Sequence, residues 1–156
     1  MHILYHGSGY LQEELKPGIH YTGVKVEWDK TESNEWLYAS SVMEEAIAQG
    51  FCSVVEKTFQ LCRFQSHGSE LVFIFDGKLP SLEDLSKLDV FLYNIRNLPE
   101  HKWVKVNNLH NGMDNEFKTT SIIEKHAIIK SDQIDLKKWL SRKKVSIKHK
   151  KSAMNW

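Results

Sequence analysis

Three short segments of this chain carry side chains suited to chemistry: Tyr5-His6-Gly7-Ser8, Trp36-Leu37-Tyr38-Ala39-Ser40-Ser41 and Asn115-Glu116-Phe117. An imidazole can hold a hydroxyl or move a proton, a phenol presents a flat ring for stacking, and a carboxylate stabilises positive charge or acts as a base. Each also has a plain structural explanation. A lone His at a strand end usually satisfies a local hydrogen bond, a Tyr in an apolar strand belongs to the core, and a Glu after a polar loop lies on the surface. Their joint presence, in the order His, Tyr, Glu, is what gives them weight.

The elements that must position them are legible in part. His2 to His6 is short and apolar or aromatic and stops at Gly7-Ser8-Gly9, which predicts a strand with His6 at its end. Leu11 to Leu15 predicts a helical turn closed by Lys16-Pro17-Gly18, and the polar residues 19 to 35 a loop. Trp36 to Ala39 reads as a second strand. Ser40 or Ser41 then caps a helix over Val42 to Phe51, whose Glu44 and Glu45 suit a first turn. Leu71 to Phe75, ended by Asp76-Gly77, predicts a buried strand. Further strands are expected at Asp89 to Ile95, more weakly at Trp103 to Val106, and through the mixed run Ile122 to Ile129. Ser131-Asp132-Gln133 would cap a last helical segment, Ile134 to Leu140. Strands outnumber helices without regular alternation, so the expected class is α+β with small, mainly antiparallel sheets.

The 156 residues suit one core, and a composition of 41% hydrophobic and 26% charged residues with three prolines is that of a globular chain. Cys52 and Cys62 match neither a metal pattern nor a disulfide framework, so two free, buried thiols in a reducing compartment are expected. The N-terminus carries no signal-like segment and no apolar run approaches the ~20 residues of a membrane span, which predicts a cytoplasmic protein without membrane partners. Net charge is +1, yet the C-terminal stretch gathers Lys137, Lys138, Arg142, Lys143, Lys144, Lys148, Lys150 and Lys151. Lys143, Lys144, Lys148 and Lys150 are the candidate nucleic-acid contacts, through phosphate binding and counterion release; a solvated tail is the alternative. The expected organisation is one domain over residues 1–140 and a basic extension over 141–156.

Taken in order, the three segments resemble the motif blocks of the ADP-ribosyltransferase superfamily, in its poly(ADP-ribose) polymerase or diphtheria-toxin-like branch. That pattern has a strand ending in His-Gly-Ser or His-Gly-Thr, a strand with Tyr-Ala before a helix holding a small residue, and a later strand beginning near Glu. Here these are His6-Gly7-Ser8, Tyr38-Ala39-Ser40-Ser41 with Ala46, and Asn115-Glu116-Phe117, continued by Ile128-Ile129 and Leu136-Lys137. The resemblance spans most of residues 3 to 140. Glu124 is a second acidic candidate, but Glu116 directly follows the loop-like Asn111-Gly112 segment, as a residue entering a cleft should.

The resemblance implies small sheets forming a split NAD-binding cleft, with NAD as substrate and no metal. It implies that Glu116 meets the cationic sugar and a nicotinamide-ribose hydroxyl, and that His6 holds a ribose hydroxyl. Gly7 would offer its backbone to the nicotinamide amide, Tyr38 would stack on the ring, and Ser8 or Ser41 would add a hydrogen bond. The activity implied is mono-ADP-ribosyl transfer to a DNA, RNA or protein acceptor. Alternatives are an RNA 2'-phosphotransferase or NAD glycohydrolase on the same fold, and a non-catalytic nucleotide or nucleic-acid binding module. Having only Arg63, Arg96 and Arg142 argues against the phosphotransferase, although Lys105 or Lys118 can serve as point charges. No Walker loop, dinucleotide fingerprint or nucleophile elbow occurs, and His2 with His6 lacks a third metal ligand. Oligomeric state has no signature in the sequence.

Overall fold

A computed structural model describes residues 3–18, 35–60, 62–67, 70–106, 115–142 and 145–149. The first predicted strand forms as β1 (Ile3–Ser8), which runs on through Gly7 and Ser8 paired with a later strand, so His6 lies within it and not at its end; the second forms as β2 (Leu37–Ser40), followed by helix α1 (Met43–Thr58). Then come β3 (Cys62–His67), β4 (Glu70–Phe75), α2 (Leu82–Ser86), β5 (Phe91–Arg96) and β6 (Val104–Lys105). The chain continues through β7 (Glu116–Thr119), β8 (Ile128–Gln133), α3 (Leu136–Leu140) and β9 (Val145–His149). The class is α+β with mostly antiparallel sheets. A six-stranded sheet runs β6-β7-β2-β1-β5-β8, and a three-stranded sheet runs β3-β4-β9. No described helix is long and apolar enough to cross a membrane.

Because successive side chains of a strand point to opposite faces, the six-stranded sheet supports two apolar clusters. Ala46, Phe51 and Val55 of α1 pack with Phe73 and Phe75 of β4, and Leu92 of β5 joins them. Phe51, Phe73 and Trp139 meet edge-on or tilted at 5.0 to 6.1 Å between centroids, geometry that adds roughly 0.5–1.5 kcal/mol per pair beyond burial. The other cluster holds Leu4, Leu37, Ala39, Tyr93 and Ile95, closed over by Leu15, Ile123 and Ala127.

Several local expectations give way to this packing. Leu11–Leu15 makes no helical turn; Leu15 is fully buried and exchanges two 2.9 Å backbone bonds with Ile123. A single helical turn costs its nucleation and yields one bond, so the long-range bridge wins. The run Ile122 to Ile129 is not strand throughout: a 3-10 turn over Lys125–Ala127 interrupts it, and β8 starts at Ile128. Ser131, Asp132 and Gln133 pair with β5 rather than capping a helix, and Asp135 caps α3 by accepting from the Lys138 amide. Helix α1 begins at Met43 after Val42, which makes no side-chain cap bond. Ser40 acts further upstream, accepting from the Val42 amide at 3.0 Å and donating to Glu45.

Residues 145–149, expected within a basic extension, pair in parallel with β4, Phe73 opposite Ile147. The thiols are buried as expected, Cys52 Sγ 3.5 Å from Cys62 Sγ. Burial first, and then the bond to Cys62, raises the Cys52 thiol well above its ordinary range.

Helix α1 lies hard against β1. A Cβ on Gly7 would sit 2.1 Å from the Ala46 carbonyl oxygen, and one on Gly50 would sit 2.8 Å from the Gly7 carbonyl carbon. Neither obstacle is a side chain that can swing away. An Ala in a helix interior is ordinarily worth about 1 kcal/mol over Gly, but overpacking typically costs about 1–3 kcal/mol. We therefore expect Gly50→Ala to lower the melting temperature rather than raise it, and Gly7→Ala to lower it more. A rise in either variant by thermal denaturation would show that the two backbones can part freely.

Candidate active site

The three segments singled out in the sequence occupy three adjacent strands. Tyr5 of β1 stands opposite Ser40 of β2, and Ser40 opposite Glu116 of β7, so Tyr5, Ser40 and Glu116 form one row. At the usual ~4.8 Å between strands that row is about 10 Å long. Ser40 and Tyr38, two residues apart on β2, share a face with Glu116, and α1 covers part of it.

Glu116 opens β7 and is 7% exposed. Gln49, on α1, donates from Nε2 to its Oε2 at 3.0 Å. A second carboxylate, Glu45, lies one helical turn earlier at 5% exposure and accepts from Ser40 Oγ at 3.1 Å. Buried carboxylates lose hydration and are retained where donors replace it, and α1 delivers both groups to the same part of the sheet. Ser41 is exposed; its amide donates to the Asn115 carbonyl at 3.0 Å, tying the end of β2 to the residue before Glu116.

His6 is half-buried and out of phase with these groups. It stands opposite Tyr93 of β5, ring centroids 6.2 Å apart, on the side of Leu4 and Ala39. Its Nδ1 lies 2.6 Å from the Tyr38 carbonyl oxygen. A carbonyl only accepts, so Nδ1 is the donor in this bond. His6 thus touches the main chain of Tyr38, while the Tyr38 phenol ring shares its face with Glu116 instead. Ser8, at the end of β1, accepts from the Tyr10 amide at 3.2 Å.

Gly7 has a second reason for lacking a side chain. The sequence suggested close approach of a ligand, whereas here the Ala46 carbonyl already occupies the Cβ position. Lys118, two residues after Glu116, holds its ammonium 4.1 Å above the Trp36 ring. Lys148 is exposed on β9, in the other sheet, and Lys143, Lys144 and Lys150 lie outside the described residues, as does Asn111-Gly112. Among the described residues no group of three or more His, Cys, Asp or Glu side chains is arranged to hold a metal.

Gln49 lies outside the three segments. Its signal was present: Glu45 and Gln49 are polar positions four apart, hence on one helix face, within the otherwise apolar run Ala46-Ile47-Ala48 and Gly50-Phe51-Cys52. No family model, curated protein or solved structure matches this chain.

The other acidic candidate, Glu124, is half-exposed and accepts from Nε2 of buried His101 at 2.8 Å. That bond, ahead of a backbone bond and nearby His charges, holds its carboxyl below the ordinary range. A depressed folded-state value means stability that is present above the unfolded value, about 4.3, and is lost as pH falls through the folded one. We expect Glu124→Gln to remove part of the acid-side loss of stability between about pH 5 and 3. Urea unfolding across that window checks it, and a pH dependence identical to the wild type would rule the pair out as a source.

Proposed function

We propose that this chain is a mono-ADP-ribosyltransferase, cleaving NAD between nicotinamide and ribose and passing ADP-ribose to a macromolecular acceptor. What carries the reading is the convergence of three motif blocks far apart in the chain on adjacent strands, with a buried carboxylate at the last. Breaking the C1'–N1 bond sends its electron pair to the nicotinamide ring, which leaves neutral, and positive charge develops on the ribose. Glu116 is suited to stabilise that charge, since a carboxylate fixed in advance in a low-dielectric site costs no reorganisation during the reaction. It would also orient or deprotonate the acceptor as the new bond to C1' forms. The imidazole of His6 suits a ribose hydroxyl, and Tyr38 offers a ring for nicotinamide to stack on, worth on the order of 1 kcal/mol. Gly7, Ser8 and Ser41 are the neighbouring groups for the carboxamide.

The acceptor is proposed to be nucleic acid, through the basic segment that includes Lys143, Lys144, Lys148 and Lys150, with protein acceptors the alternative. The phosphotransferase reading is less favoured, because Arg63 and Arg142 are engaged with Glu56 and Glu44 at 2.7 Å.

Nicotinamide release from NAD, with and without DNA, RNA or protein, tests the proposal; label retained on a macromolecule distinguishes transfer from hydrolysis. Glu116→Gln keeps an oxygen for Gln49 and removes the charge, so turnover should fall by roughly 100-fold or more with folding intact. Unimpaired release in that variant would refute the assignment. Replacing the four lysines by Gln should weaken nucleic-acid binding and flatten its salt dependence while sparing NAD cleavage. These replacements are preferable to truncation after Leu140, which would also remove β9 from its sheet.

A further inference from the structure

We infer that Gln49 is a positioning residue for the carboxylate of Glu116, fixing its orientation while leaving its negative charge in place. The inference rests on the ADP-ribosyltransferase reading and adds to it a residue outside the three motif blocks.

Three observations point the same way. Gln49 Nε2 lies 3.0 Å from Glu116 Oε2, and the bond joins residues 67 apart in sequence. Gln49 as a whole is half-buried, so its position is not forced by complete burial. The helix that presents it cannot drift, because Gly7 and Gly50 let the backbones of α1 and β1 touch directly beside Gln49.

The chemistry selects an amide. A carboxylate that must offset a positive sugar needs its full charge; a Lys or Arg bonded to it would cancel much of that field in a low-dielectric site. A primary amide supplies a donor without a charge. Polar and ionisable groups on the elements around Glu116 include Ser40, directly opposite, and Tyr38 of β2, Glu44, Glu45, Glu56 and Lys57 of α1, Tyr5 and His6 of β1, Lys105 of β6, and Lys118 on β7 itself. Glu45 is engaged by Ser40 Oγ, and Lys118 stacks on Trp36. Gln49 reaches Glu116 from the helix side as a neutral donor.

The test compares wild-type protein with Gln49→Met, which keeps length and helix propensity but has no donor, and with Gln49→Lys, which keeps a donor and adds a charge. Misplacing a reacting group by about 1 Å costs up to ~100-fold, so kcat for nicotinamide release should drop roughly 10- to 100-fold in Gln49→Met. KM for NAD should change little. Loss of a hydrogen bond to the ionised form also moves the acidic limb of the kcat–pH profile to higher pH, a response that a purely structural role would not produce. Gln49→Lys should fail to restore kcat although it folds. An unchanged kcat and pH profile in Gln49→Met, or wild-type turnover in Gln49→Lys, overturns the inference. If Glu116→Gln abolishes release while Gln49→Met does not alter it, only the role of Gln49 falls; if Glu116→Gln is fully active, the proposed function falls and this inference with it.

Discussion

At Gly7 and Gly50 the backbones of β1 and α1 come closer than any side chain allows, and the remainder of the candidate site hangs on that contact. A glycine inside a helix gives up conformational entropy, a cost near 1 kcal/mol. What offsets it is the depth at which α1 can sit. With no Cβ between them, Ala46 and Gly50 rest on the end of β1, and the helix rotation is fixed. Phe51 and Val55 then point into the aromatic cluster with Phe73, while Glu45 and Gln49 point at β2 and β7.

The orientation has an energetic consequence for the two carboxylates beneath the helix. Glu45 occupies the third helical position, where the unpaired amides of a helix start favour negative charge, and Ser40 supplies a further donor. Glu116 is on a strand and has no such dipole of its own, so it depends on side chains brought to it. Gln49 is one of them. Removing a donor from a buried acceptor costs more than the bond's net worth in water, about 1–3 kcal/mol, which gives this arrangement a reason to stay ordered even before any ligand is considered.

Much of the scaffold was legible because it obeys local rules. Leu71 to Phe75 is continuously apolar and becomes the central strand of the three-stranded sheet; Asp89 to Ile95 yields β5, shifted by two residues at its start. What escaped was set by distant partners. β3, Cys62–His67, alternates apolar and polar residues only weakly, and it becomes a strand through six paired positions with β4. β9 contains Lys148 within a basic stretch and looks like a tail until it finds β4 alongside. Leu15 looked helical, yet its partner is Ile123, more than one hundred residues away. The site was legible in the same uneven way: segment order pointed to His6, Tyr38 and Glu116, whereas Gln49 needs the helix to be placed on the sheet first. Gly7 stands out in the sequence for lacking a side chain, and helix contact alone is enough to require it.

The phase of His6 constrains where a ligand touching all three side chains must lie. Groups on opposite faces of a sheet cannot meet through it; they meet only past a strand's end or where two strands part. β1 follows β5 over six residue pairs but is registered with β2 at the single pair Tyr5–Ser40, and beyond it the His6 ring reaches the Tyr38 carbonyl. That carbonyl is bonded by a side chain. On the proposed reading, a substrate touching all three side chains would lie along the seam between β1 and β2, with Tyr38 and Glu116 on the helix side and His6 on the other. In that proposal the imidazole and the carboxylate, on opposite faces of the sheet, would meet different parts of an elongated dinucleotide.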